Sequence, residues 1–292
     1  MDMDILKEYD VVVVGGGITG AGTARDCAMR GLKVLLVEKY DLTNGATGRN
    51  HGLLHSGARY AVTDPESASE CIKENMILRK IARHCVDETD GLFITLPEDD
   101  LAYQATFVAS CRKAGIRADI ISPEEARRLE PAVNPSLIGA VRVPDASVDP
   151  FRLTTANVID ARRHGADMLT YHEAVGFVVE SGCVRGVRLR DNHTGDTFEV
   201  RSRMVVNAAG IWGHLVARLA GVTVNMFPAK HAARLRPQGQ RHGRQPLPPA
   251  RQRRHSRAGR HRLRHRNDQR PRVFRHHRPF ESNPRGSGRA AP

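Results

Sequence analysis

The alternation of apolar and polar positions divides this chain into readable elements. Val11–Val14 is an unbroken β-branched run, the pattern of a parallel strand buried on both faces. A glycine-rich turn follows, then a helix, then the second strand "KVLLVE". Further on, "GLFITL" and "LIGAVRV" are strand-like, and "SPEEARRLE" is a helix with Ser122 as its cap and Pro123 in its first turn. "DPFRLTTANVIDARRHGA" spaces its apolar residues as an amphipathic helix entering at Asp149 and ending near Gly165. From Asp167 to Gly210 the pattern is of strands, with turns at Ser181-Gly182 and Thr194-Gly195. Arg185, Arg188 and Arg190 alternate along one of these strands as a solvated face. After "NMFPAK" the periodicity stops. Residues 231–292 are rich in Arg, Pro, His, Gly and Gln, and they offer neither a core nor a regular strand.

These elements predict an α/β fold in which one domain is split in two, 1–91 and 149–230. Residues 92–148 form an inserted part of a second domain, and 231–292 form a disordered tail. With 292 residues there is room for a sizeable core.

Charge changes the picture only at the C-terminal end. The formal net charge is +13, which by itself suggests a polyanionic partner. From His231 onward, however, there are 18 Arg, no Lys and only Asp268 and Glu281 as acids, a surplus of 16. Met1–Lys230 therefore carries −3. The five cysteines (Cys27, Cys71, Cys85, Cys111, Cys183) are scattered and never spaced C-x-x-C, which argues against a disulfide framework or a metal site and fits a reducing compartment. "MDMDILKEYD" is acidic and unlike a signal peptide, and no apolar run approaches the roughly 20 residues that span a bilayer. The expected location is the cytoplasm.

The chemistry starts at the glycine turn. Gly15, Gly17 and Gly20 satisfy G-x-G-x-x-G between a strand and a helix. The first permits a sharp turn, the second lets a pyrophosphate approach the backbone, and the third lets helix and strand pack closely. The helix N-terminus offers free N–H groups to the phosphates, and Glu38, ending the second strand, is placed to bind an adenosine ribose. This predicts a dinucleotide site. The next loop, "DLTNGATGRNHGLLHSGARY", holds His51, His55, Arg49 and Arg59 among small polar residues, and so brings donors and cations to a pyrophosphate and a ring system. "MVVNAAGIWG", Met204–Gly213, is a second strand ending in small residues, a return of the chain to the same cofactor.

Together, "DVVVVGGGITGAGTARDCAMRGLKVLLVEK", "GATGRNHGLLHSGARYAV", "GLFITLPEDD", "DPFRLT" and "VVNAAGIWG" resemble the FAD-dependent glycerol-3-phosphate dehydrogenases, nearest to the A-subunit branch of the bacterial anaerobic enzymes. The resemblance runs from about Tyr9 to Lys230. It implies a Rossmann-like FAD-binding domain of the glutathione-reductase/D-amino-acid-oxidase type with an interleaved, truncated substrate domain. FAD would lie with its pyrophosphate over Gly15, Gly17, Ile18, Thr19 and Gly20, near Ala46 and Thr47. Its ribose would lie on Glu38 and its adenine at the Val175 backbone, with Ala209 and Gly210 closing the site. His55 would lie near the flavin ring, either as the base or as a group orienting flavin and loop. Arg59 and Tyr60 would hold the phosphate of glycerol 3-phosphate, for which an arginine fork is suited. The implied reaction takes a hydride from C2 to flavin N5, yields dihydroxyacetone phosphate, and passes electrons to a quinone through companion subunits at the inner membrane. Other readings are a FAD oxidoreductase acting on an amine or hydroxy acid, and a nucleic-acid-binding protein using the basic tail.

The tail has a different explanation from a basic arm, in which lysine normally shares the work. Arg, Pro, Gly, Ala, His and Gln are what GC-rich coding DNA yields in the wrong frame. When the codons for residues 242–262 are regrouped from their second base, "MVVNRCRPPGNADILVPGDTV" is a permitted reading. That sequence is strand-like and turn-like, and it resembles what the family carries after the "FPAK" segment. The tail is therefore expected to be out of frame, with no specific nucleic-acid partner, and the chain as written is expected to be inactive.

Overall fold

A computed structural model describes residues 8–227 and the short strand 272–274. In chain order the elements are β1 (Glu8–Val14), α1 (Ile18–Met29), β2 (Val34–Val37), β3 (Leu53–Leu54), α2 (Pro65–Ile81), β4 (Val86–Asp87), β5 (Gly91–Thr95), α3 (Tyr103–Lys113), β6 (Asp119–Ile121), α4 (Pro123–Leu129), β7 (Gly139–Val143), β8 (Ala146–Val148), α5 (Pro150–Arg163), β9 (Asp167–Leu169), β10 (His172–Glu180), β11 (Cys183–Asp191), β12 (Thr197–Asn207), α6 (Gly213–Leu219) and β13 (Arg272–Phe274). They fall into two compact units. One takes Met1–Leu53, Ile81–Val86 and Ser147–His231, and the other takes Leu54–Lys80, Asp87–Ala146 and Ala232–Pro292.

The first unit is built on a six-stranded sheet in the order β10-β11-β12-β1-β2-β9. β1 runs parallel to both β12 and β2, and β2 runs parallel to β9, while β10, β11 and β12 form an antiparallel meander. Val11 and Val13 pack under α1 and α5, and Val12 and Val14 pack on the opposite face with Leu35, Val187 and Leu189. That two-sided burial is why β1 is continuously apolar rather than alternating. α1 lies close to the sheet because its buried face is Gly20, Ala21, Ala24 and Ala28. α5 begins where Asp149 Oδ1 accepts the N–H groups of Phe151 and Arg152, both at 3.0 Å, ahead of Pro150 in the first turn. The β10–β11 hairpin turns on Ser181 and Gly182, both with positive φ, a pair that matches the strand twist. Arg188 and Arg190 stand on its solvent face, paired with Glu199 and Glu173.

The second unit has a sheet in the order β13-β5-β7-β6, with a core of Leu92, Ile94, Ile121, Ala126 and Ala140 among others. α4 starts as expected, with Ser122 Oγ accepting the Glu125 N–H at 3.1 Å.

Two expectations differ from this architecture. The cofactor-binding portion does not run unbroken to residue 91, because Leu54–Lys80 belongs to the second unit. Polar side chains of α2 bind the backbone at Pro144 and Asp145 and hold that segment there. The tail is also not without a strand: Arg272–Phe274 pairs in parallel with Gly91–Phe93 of β5. A sheet edge presents unpaired N–H and C=O groups, and the backbone of even a three-residue strand can pair with them. The rest of the tail, which carries the frame argument, lies outside the described residues. Among the described residues, no helix is long and apolar enough to cross a membrane.

Candidate functional site

In the first unit the glycine turn lies between the ends of β1, β2 and β12. Gly15 has φ +118°, and its N–H donates to Val37 O at 2.8 Å. A side chain there would meet Ala208 O at 2.5 Å, so Gly15 is required both by its backbone angle and by the passing β12 strand end. At Gly20 a Cβ would fall 1.9 Å from Gly15 O, which is how tightly α1 seats on the turn. Gly17 precedes α1 with no side-chain cap, and the first helical turn carries no acid. The first-turn N–H groups therefore have no partner within the helix and no carboxylate competing for them.

The loop after β2 folds back over this helix end. Thr43 takes a left-handed φ of 64°, buried, and its N–H donates to Gly16 O at 3.1 Å. That anchor brings Ala46 and Thr47, in a 3-10 turn, to the start of α1, where Thr47 Oγ1 accepts the Ile18 N–H at 3.1 Å. Thr19 is exposed at the same end. Trp212 packs on Gly45 and Phe151 on Gly48, closing the loop from behind. Asn207 orders the end of β12, with its Nδ2 donating to Gly213 O at 2.7 Å and its Oδ1 accepting the Ala209 N–H at 3.3 Å. Gly210 follows with φ +54°.

Glu38 stands at the end of β2. Its Oε2 accepts the Gly16 N–H at 2.7 Å and its Oε1 the Tyr40 N–H at 2.9 Å. An ionised carboxylate has about four acceptor positions, so these two bonds hold it in place and leave room for two hydroxyls. The segment beyond it is tied to β10 by His172 N–H to Glu38 O at 2.9 Å. Three residues on, the β10–β11 register slips between Ala174 and Gly176, whose partners Leu189 and Arg188 are adjacent. Val175 is thus the extra residue of a bulge, with its peptide out of the ladder.

Gly15, Gly17, Ile18, Thr19, Gly20, Glu38, Ala46, Thr47, Val175, Ala209 and Gly210 all belong to this one unit. They fit a dinucleotide such as FAD. Side chains are missing where a diphosphate needs room, helix N–H groups are on offer, a carboxylate is fixed for a ribose, and a free peptide edge is available for a base.

His55, Arg59 and Tyr60 belong to the second unit and are half-buried there. The Arg59 guanidinium lies over the Tyr60 ring at 5.2 Å from its centroid. Two buried residues that sequence reasoning did not single out hold this loop. Asp145 Oδ1 accepts the Ser56 N–H at 2.6 Å, and Asn75 Nδ2 donates to Leu54 O and His55 O at 3.1 and 3.2 Å. Burial pushes the Asp145 carboxyl above the usual carboxylate range, opposed by its bonds to Ser56 and by the charges of Arg79 and Arg59. The available signal was on α2, where Asn75 and Arg79 continue the buried stripe of Ala68 and Ile72 at helical spacing.

The family described as FAD dependent oxidoreductase matches residues 10–283. The A subunit of the anaerobic glycerol-3-phosphate dehydrogenase of Escherichia coli (strain K12) is 64% identical over 224 residues, which is 77% of this chain and 41% of that protein. The chain thus spans about two fifths of the length of that relative. Among solved structures, L-proline dehydrogenase from P. horikoshii superposes with a TM-score of 0.63 at 28% identity, covering 76% of this chain and 58% of that one. The glycerol-3-phosphate dehydrogenase from Bacillus halodurans complexed with FAD superposes with a TM-score of 0.56 at 26% identity, covering 73% and 36%. The chain belongs to the FAD-dependent oxidoreductase family.

Proposed function

We propose that this chain is part of a FAD-dependent dehydrogenase that oxidises sn-glycerol 3-phosphate to dihydroxyacetone phosphate. The observation that carries the cofactor is the cradle of Gly15–Gly20, Thr47 and Glu38. The substrate rests on the 64% identity to the Escherichia coli protein, whose name states that activity. When bound, FAD supplies the acceptor for the hydride that leaves C2 of the substrate. The residues of the chain do the rest. The first-turn N–H groups of α1, with Thr47, hold the diphosphate, Glu38 holds the ribose, and the peptide at Val175 meets the adenine. Arg59, braced on Tyr60, binds the substrate phosphate through a two-donor fork. His55 takes the hydroxyl proton, since an imidazole titrates near working pH. Electrons leave to a quinone through companion subunits, which bring the protein to the membrane surface from the cytoplasm.

Residues 231–292 are an out-of-frame reading of the same gene. In support, the pairwise match to the Escherichia coli relative covers 224 residues, 77% of this chain, and so leaves a stretch about as long as this tail unmatched. Sequencing the DNA across the Lys230 codon tests the frame directly. With the frame restored, glycerol 3-phosphate should reduce an artificial electron acceptor, whereas proline, glycine and 2-hydroxy acids should not. Turnover of one of the latter, with none of glycerol 3-phosphate, would replace this reading with an amine- or hydroxy-acid-oxidising one.

A further inference from the structure

The loop carrying His55, Arg59 and Tyr60 is held through one peptide plane. The C=O of His55 accepts from Asn75 Nδ2 at 3.2 Å, and the N–H on the other edge of the same plane, that of Ser56, donates to Asp145 Oδ1 at 2.6 Å. Both holding side chains are buried, Asn75 at 0% and Asp145 at 2% exposure. Each is itself fixed. Asn75 also donates to Leu54 O at 3.1 Å. The backbone of Asp145 is secured by Arg79 Nη2, which donates to Pro144 O at 2.9 Å and Asp145 O at 3.0 Å. Past the clamp the loop is pressed against α2. Gly57 has φ +89°, and a Cβ there would meet Ala68 O at 2.5 Å and Cys71 Cβ at 2.9 Å. A buried carboxylate and a buried amide carry a solvation penalty that a fold would avoid with apolar residues unless the polar contacts serve a purpose. Here both contacts converge on the peptide next to His55.

We propose that Asp145 and Asn75 are positioning residues that fix the His55–Ser56 peptide plane and thereby aim the His55 imidazole and set the start of the Arg59–Tyr60 turn. The proposal rests on the reading above that His55 and Arg59 work on the substrate. Asp145 and Asn75 act through the loop and not on substrate or cofactor. A side chain held to within a fraction of an ångström needs its neighbours locked as well, and a displacement of about 1 Å costs on the order of 100-fold in rate.

The test has one arm that needs no turnover. In the 292-residue chain with labelled histidine and serine, the His55 ring resonance and the Ser56 amide resonance are identified by their loss in His55→Gln and Ser56→Ala. The Ser56 amide should lie at low field, as a short bond to a carboxylate requires. It should move upfield in Asp145→Asn, and the His55 ring signal should shift or broaden in Asp145→Ala and Asn75→Ala. If either alanine variant loses its cooperative thermal transition, the isosteric Asp145→Asn decides through the Ser56 amide. An unchanged Ser56 amide in Asp145→Asn, or an unchanged His55 ring in folded Asp145→Ala and Asn75→Ala, overturns the proposal.

The second arm uses the frame-restored enzyme. There Asp145→Ala should lower kcat by about 100-fold at unchanged FAD content and near-constant KM, and Asp145→Asn should recover most of it. If the resonances respond but His55→Gln retains full turnover, the clamp stands and the assignment of His55 to the substrate fails. If the resonances respond and Asp145→Ala keeps full turnover in an enzyme that needs His55, the positioning role is refuted.

Discussion

Gly20 and Gly22 sit two residues apart on α1 and are glycines for different reasons. At Gly20 an added Cβ falls 1.9 Å from Gly15 O, whereas at Gly22 it meets nothing within 4 Å. Gly20→Ala should therefore push α1 off the turn and cost roughly 1–3 kcal/mol, as overpacking does. Gly22→Ala should stabilise by about 0.5–1 kcal/mol, the ordinary gain of alanine over glycine in a helix interior. Urea unfolding of the two variants checks both signs, and equal effects would mean that the turn is not packed as described. The sequence motif separates these two positions correctly, since G-x-G-x-x-G includes Gly20 and leaves out Gly22. It says nothing of Thr43, whose left-handed φ and bond to Gly16 O bring Thr47 to the helix end. A threonine carries no local signal for that conformation, which arises from the tertiary contact.

Among the elements, those with signals inside themselves were legible. β1 with its turn, α4 with Ser122, α5 with Asp149-Pro150, and the hairpin at Ser181-Gly182 each state their own boundary in adjacent residues. α2 does not, because its buried stripe passes from Ala68 and Ile72 to Asn75 and Arg79, and polar residues there hide the core-facing side. For the same reason the assignment of Leu54–Lys80 to the second unit was not readable, since it depends on bonds between side chains and backbone about 65–70 residues away.

The packing of α1 on α5 gives a pH prediction. Arg25 Nε lies 2.5 Å from Asp160 Oδ2, and this bond, against a burial penalty, holds the Asp160 carboxyl below its usual range. A carboxyl depressed on folding contributes stability above its unfolded pKa and loses it as pH falls through the folded value. The contribution should therefore be present at neutral pH and disappear below about pH 4. Both side chains remain about a third exposed, so its size is no more than about 1 kcal/mol. Asp160→Asn should lower unfolding stability by about that amount at neutral pH and match the parent in acid. A constant difference across pH would dissociate the effect from this ion pair.

At the scale of the whole molecule, the charge total misleads and the architecture does not. The positive total belongs to residues 231–292, which carry a surplus of 16, while Met1–Lys230 carries −3. The end of the first unit also exposes Trp212, Leu215, Leu219 and Val222, each more than 40% accessible. Apolar surface of this kind marks a place where another surface packs, and the chain matches only 41% of the length of the Escherichia coli relative. Sequence reasoning reached the family and the fold because glycine turns and strand ends are written locally. It did not reach the clamp on His55, because two buried polar residues far apart in sequence identify themselves only when brought to the same peptide.

The most direct test of the account is cofactor uptake by the frame-restored protein. Purified and offered FAD in excess, it should become yellow with one flavin per chain. Glu38→Gln should bind about tenfold more weakly, through the loss of charge-assisted bonds at the ribose. A well-folded protein that stays colourless and takes up no FAD would contradict the assignment of the Gly15–Gly20 turn as its binding site.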